Sequence, residues 1–149
     1  YPDGTFKPDN SITRAEFAAV LVKAFKLEGK GGGAFADTAV HWARDYIAAA
    51  AANGVVNGYN SGTFGPDDLI TREQMALMLV KAARLSPAAG ETLFADSGSI
   101  SNWAREAIAA ATESGIMKGY PDNTVKPLGN ATRAEAVTVI VNALEYKAG

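Results

Sequence analysis

Ile12-Thr-Arg-Ala-Glu16, Ile70-Thr-Arg-Glu-Gln74 and Ala131-Thr-Arg-Ala-Glu135 are three versions of one segment, with their threonines 58 and 61 residues apart. The likeness extends upstream to Tyr1-Pro-Asp-Gly-Thr-Phe-Lys-Pro8, Tyr59-Asn-Ser-Gly-Thr-Phe-Gly-Pro66 and Tyr120-Pro-Asp-Asn-Thr-Val-Lys-Pro127. A period of this size, carried by loop residues as well as apolar ones, marks a repeat architecture whose units bury their apolar faces against one another. Function is therefore to be sought at the junctions between units.

Each Thr-Arg pair opens a helical pattern. Phe17, Val20, Leu21, Ala24 and Phe25 follow the first, Met75, Met78, Leu79 and Ala82 the second, and Val137, Ile140, Val141 and Leu144 the third. Spacings of three and four place these residues on one helix face. Thr13 with Glu16, Thr71 with Gln74 and Thr132 with Glu135 have the form of capping boxes: the hydroxyl accepts the amide three residues on and the longer side chain reaches back. The other half of the unit starts at Phe35-Ala-Asp37 or Phe94-Ala-Asp96. It passes His41-Trp42-Ala43 or Asn102-Trp103-Ala104 and runs through an alanine-rich helix to Gly54 or Gly115, where glycine suits a left-handed helix end. Loops of about 16 residues follow, and their repetition argues against disorder.

The units divide the chain into residues 1–33, 34–92 and 93–149, with joints rich in Gly, Ala and Pro at 28–33 and 86–92. The first unit shows only its second half. A fragment, or a helix supplied from elsewhere in an assembly, would each account for this.

With 149 residues and 48% hydrophobic composition the chain buries roughly 70% of its unfolded surface, enough for one core without metal or disulfide. There is no cysteine, which leaves the compartment open. Fourteen basic and 16 acidic residues are interspersed at net charge −2, so nothing marks a nucleic-acid or acidic-membrane surface. The longest weakly polar run, Ile47 to Val56, falls far short of the roughly 20 residues needed to span a bilayer, and no signal peptide precedes Tyr1. The expectation is a soluble, processed or excised domain without membrane insertion.

Phe-Ala-Asp, His-Trp-Ala, Gly54-Val-Val-Asn-Gly-Tyr59, Thr-Phe-x-Pro and Ile-Thr-Arg recur in register, and together they resemble the S-layer homology domain of bacterial cell-surface proteins. The resemblance covers nearly the whole chain. It implies an all-α fold of tandem helix-loop-helix repeats in a pseudo-threefold, three-pronged assembly. It also implies secretion to the cell wall or S-layer. The partner it implies is secondary cell-wall polysaccharide linked to peptidoglycan, often bearing pyruvylated N-acetylmannosamine, bound in grooves between units without cofactor, metal or catalysis.

Carried over by motif, the ligand-binding residues are Arg14, Arg72 and Arg133, Trp42 and Trp103, Gly58 and Gly119, and Lys7 and Lys126. Unit two departs with Gly65 in place of lysine and Gln74 in place of glutamate; unit three has Val125 in place of phenylalanine.

On chemistry alone, an arginine at a capped helix start sits beside free amides and the positive dipole end, and its planar fork holds a carboxylate by two hydrogen bonds. Alternatively each arginine pairs with an acid of a neighbouring unit and fixes the helix start. Trp42 and Trp103 could stack on sugar rings or pack between units, and Tyr1, Tyr59 and Tyr120 lean toward packing.

His41, the only histidine, reads as a surface or capping residue. The Asp3, Asp9 and Asp67-Asp68 region lacks the order of a calcium loop, and Asn130-Ala-Thr132 is better explained as part of a cap than as a glycosylation site. No nucleophile motif or phosphate loop is present, and the candidate acids Glu16, Glu73, Glu113 and Glu135 offer no evident pair for glycan hydrolysis. A structural module that self-associates through the incomplete first repeat is the alternative to a carbohydrate anchor.

Overall fold

The structure, a computed structural model, describes residues 10–27, 35–38, 40–56, 63–85, 96–118, 122 and 124–148. Among these residues are five α-helices: α1 (Arg14–Ala24), α2 (Arg44–Ala52), α3 (Arg72–Ala82), α4 (Arg105–Glu113) and α5 (Arg133–Ala148). The expected all-α class is what forms. All three predicted capping boxes are made, with Thr13, Thr71 and Thr132 accepting the amides of residues 16, 74 and 135 while those side chains accept the threonine amides. The alanine-rich helices end as expected at Gly54 and Gly115, whose φ of 74° and 78° lies in the left-handed region that glycine enters without steric cost. The proposed unit boundaries at 33/34 and 92/93 lie outside the described residues.

Helices α1, α3 and α5 pack on one another, α2 lies against α1, and α4 lies against α3. Of the helices that follow a Thr-Arg pair, α1 and α3 are thus each covered by the first helix of the next unit. Just ahead of the three central helices, the chain segments hydrogen-bond in a closed cycle. Ile12 donates its amide to the Ala131 carbonyl (3.1 Å), Ala131 to Ile70 (2.9 Å) and Ile70 to Ile12 (2.9 Å). Isolated antiparallel bridges Ser11–Thr132, Thr13–Leu69 and Thr71–Asn130 flank this cycle. Ile12, Ile70 and Ala131 are buried, so the amides and carbonyls there need protein partners, and the cycle supplies them.

One difference from the expected apolar faces is on α5. Its buried side runs through Ala136, Val139, Ile140 and Ala143, whereas Val137, Val141 and Leu144 are 41%, 44% and 38% exposed. The described elements pack on α5 from the side of α1 and α3.

Candidate functional site

Each repeated arginine is the first residue of a central helix, and the polar groups around it come from other units. The Arg72 side chain is buried; its Nε donates to the Val125 carbonyl (2.7 Å), Nη2 to the Lys118 carbonyl (3.2 Å) and Nη1 to the Glu135 carboxylate. Arg133 pairs through Nη1 with Glu16 at 2.9 Å. Buried Arg14 donates Nε to the Phe64 carbonyl (2.9 Å), with its guanidinium 4.7 Å from the centre of the Phe64 ring. Unit two therefore reaches to the acid of unit three, and unit three to the acid of unit one. The same step from unit one leads to position 74, which carries a neutral glutamine.

The first-turn amides, expected to be open to an anion, are occupied. Arg14 and Ala15 donate to the carbonyls of Asp68 and Pro66, Arg72 and Glu73 to those of Gly129 and Pro127, and Arg133 to that of Asn10. The loop of a neighbouring unit thus takes the role that an anion would play at these helix starts.

A second connection ties the unit-start motif to the following loop. Asp37 accepts the amides of Phe64 and Gly65, both at 2.9 Å, and Asp96 accepts those of Val125 and Lys126 at 2.9 and 2.8 Å. Partial burial pushes the Asp37 carboxyl up, but the amides of Phe64 and Gly65, its own amide and nearby His41 outweigh this and hold its pKa below the ordinary value of 3.8. Asp122 is also lowered, chiefly by the Thr124 hydroxyl. The residue held by the second oxygen has a left-handed backbone, φ 75° at Gly65 and 49° at Lys126. Glycine at 65 thus has a backbone reason, independent of any lysine function.

Trp42 and Trp103 stand just ahead of α2 and α4 and are 64% and 53% exposed. His41 tilts against Trp42 at 5.4 Å between ring centres and accepts the Ala43 amide at Nδ1 (3.1 Å). That leaves Nε2 to donate to Asp67 at 2.8 Å, so both ring nitrogens have protein partners. In unit three the matching Asn102 accepts from Arg105 Nε (3.1 Å), and buried Glu73 accepts both the amide (2.9 Å) and the hydroxyl (2.6 Å) of Ser101.

Lys126 is exposed beside the Asp96 connection. Lys7, Gly58 and Gly119 lie outside the described residues, as do Tyr1, Tyr59 and Tyr120. The structure thus brings Arg72 and Arg133 onto acids of neighbouring units and leaves both tryptophans largely open to solvent. Sequence reasoning missed the roles of Asp37, Asp96 and Glu73. For the first two, the recurrence of Phe-Ala-Asp was the available signal. Among the described residues no group of three or more His, Cys, Asp or Glu side chains could hold a metal ion. No described helix is long and apolar enough to cross a membrane.

The sequence profile of the S-layer homology domain matches residues 1–18, 34–76 and 93–137, most of the chain. The chain belongs to the S-layer homology domain family. As a member it is similar to an amylopullulanase of Thermoanaerobacterium thermosulfurigenes, 36% identical over 96% of this chain and 8% of the relative. It also resembles a cellulosome-anchoring protein of Acetivibrio thermocellus (35% identical; 97% of this chain, 34% of the relative). A surface-layer 125 kDa protein of Lysinibacillus sphaericus is 32% identical over 96% of this chain and 12% of its own length. This S-layer homology chain thus spans from under a tenth to about a third of the length of these relatives.

Proposed function

We propose that the chain is a non-catalytic anchor that binds secondary cell-wall polysaccharide, with pyruvylated N-acetylmannosamine as the recognised sugar, in the grooves between units. The family and the names of its relatives put it at the cell surface, associated with the wall. Whatever enzyme or surface-layer function a longer parent protein carries is then cargo.

The observation that supports this reading best is the exposure of Trp42 and Trp103. An exposed indole offers a flat apolar face to a sugar ring and an N–H to an oxygen. In this proposal Trp42 with Arg14 and Trp103 with Arg72 form two grooves. Lys126 stands on the rim of the second, and Lys7, Gly58 and Gly119 contribute through the loops. The arginines form the groove floor. A ketal carboxylate entering beside Trp103 would meet Arg72 by exchanging with Glu135, the more exposed member of that pair at 24% against 5%. In such an exchange Nη1, the nitrogen that holds Glu135, would pass to the ligand carboxylate while Nε and Nη2 stay on the Val125 and Lys118 carbonyls.

The occupancy of Arg72 by three protein acceptors favours a second reading, a module whose arginines only join units. Sedimentation with cell-wall sacculi, before and after removal of the secondary polymer, separates the two. The anchor co-sediments only with intact sacculi and loses this when Trp42 and Trp103 are both replaced by alanine. Equal sedimentation with stripped sacculi, or none with either, refutes the anchor.

A further inference from the structure

Glu73 carries a carboxylate on a residue only 2% exposed, at a position where units one and three have Ala15 and Ala134. The same capped helix start forms over Ala15, so the acid is not needed to build α3. A buried charge is weak evidence for stability, and its desolvation demands a partner. Both oxygens go to one residue, Ser101, whose amide and hydroxyl donate at 2.9 and 2.6 Å. Ser101 stands at the N-cap of the 3-10 turn Asn102–Ala104, which carries Trp103 and packs on α3. Its hydroxyl does not cap that turn and is given to α3 instead. At the preceding junction the register matches Ala15 with Val40, so acid and serine are replaced together. Val40 is fully exposed, and the Trp42 turn is held by His41.

We propose that Glu73 is a positioning residue for the groove of Arg72 and Trp103, holding the turn that presents the indole without itself touching the ligand. The proposal rests on the anchor reading above. Glu73 follows Arg72 directly in the chain, and Ser101 precedes Trp103 by two residues. The carboxylate therefore ties the backbone beside the arginine to the turn beside the indole. Two bonds from one carboxylate to one residue restrain rotation of the turn as well as its distance from α3. Ordering a side chain or loop on binding costs affinity, and a clamp present before the ligand arrives removes part of that cost. The Trp42 turn has no acid at position 15 to make this clamp, so the two tryptophans are held by different chemistry.

The chain has two tryptophans, so Trp42→Ala leaves Trp103 as the only indole and Trp103→Ala leaves Trp42. Time-resolved fluorescence anisotropy then reads each turn by itself. In the Trp42→Ala chain, Glu73→Ala increases the local motion of Trp103 and weakens binding of pyruvylated polymer released from sacculi by about three- to tenfold. Glu73→Gln stays close to its parent in both readouts, because the amide oxygen can accept the Ser101 amide and the amide nitrogen can donate to the hydroxyl. In the Trp103→Ala chain, Glu73→Ala leaves the motion of Trp42 unchanged. Unchanged motion of Trp103, or an equal increase at Trp42, overturns the proposal, and so does a loosened Trp103 with undiminished polymer affinity. A Trp42→Ala parent that binds no polymer while the 149-residue chain does overturns it too, since groove two is then no site. If the 149-residue chain itself binds none, the anchor reading fails separately, and the anisotropy alone decides whether Glu73 holds the turn.

Discussion

Replacing Arg72 by alanine removes a side chain that touches three separate parts of unit three. The guanidinium is buried and holds the Val125 and Lys118 carbonyls and the Glu135 carboxylate. Removing one member of a buried ion pair costs about 3–5 kcal/mol, because its partner stays behind desolvated. Glu135 keeps about a quarter of its side-chain surface and still accepts the Thr132 amide, so the lower end, about 3 kcal/mol, applies. For a domain of this size that loss lowers the melting midpoint by about 6–12 °C. Calorimetric melting of the wild-type chain, Arg72→Ala and Glu135→Gln checks it. Glu135→Gln falls between the other two, since an amide still caps the helix but carries no charge. An Arg72→Ala midpoint within about 2 °C of wild type would refute the idea that this arginine joins units two and three.

Thr13→Ala, Thr71→Ala and Thr132→Ala each lose about 1 kcal/mol in denaturant unfolding, and three unchanged midpoints would show that these caps contribute nothing. Ser101→Ala leaves the buried Glu73 carboxylate short of its 2.6 Å hydroxyl partner and costs about 2 kcal/mol; a neutral result in urea titration counts against that pair. Asp37 has a folded pKa below its ordinary 3.8, so its stabilisation is complete above that value and lost as pH falls through the lower, folded one. Asp37→Asn therefore flattens the stability profile below about pH 4, and a profile identical to wild type there contradicts the sign. Calorimetric titration with the pyruvylated polymer gives at most two equivalent sites on this chain, because Arg133 has no matching tryptophan in it; three equivalent sites would refute the pairing of arginine with the next unit's indole.

The helix starts were legible because a capping box is local: donor and acceptor sit three residues apart, and the pattern occurs three times. The left-handed ends at Gly54 and Gly115 were legible for the same reason. The partners of the arginines were not. The sequence left open a ligand or an acid of a neighbouring unit, and only the order in which the units close on one another decides that Arg72 meets Glu135 while Arg133 meets Glu16. The apolar face of α5 was misjudged on similar grounds, since periodicity marks Val141 as apolar but does not say whether a helix lies over it.

The residues that periodicity and capping left unexplained, Asp37 and Asp96, join a unit's start to the loop that feeds its second helix. Each aspartate holds two successive amides in that loop, and the loop carbonyls then receive the first-turn amides of the preceding unit's central helix. Position of the loop and position of the arginine are consequently coupled. A ligand that moved either would be felt at both, which is why the grooves are best sought between units and not within one. The exchange of Gln74 for an acid follows the same logic: Gln74→Glu would place a charge at the one step of the cycle that lacks it, and its effect on stability measures how far unit one depends on charge to hold unit two.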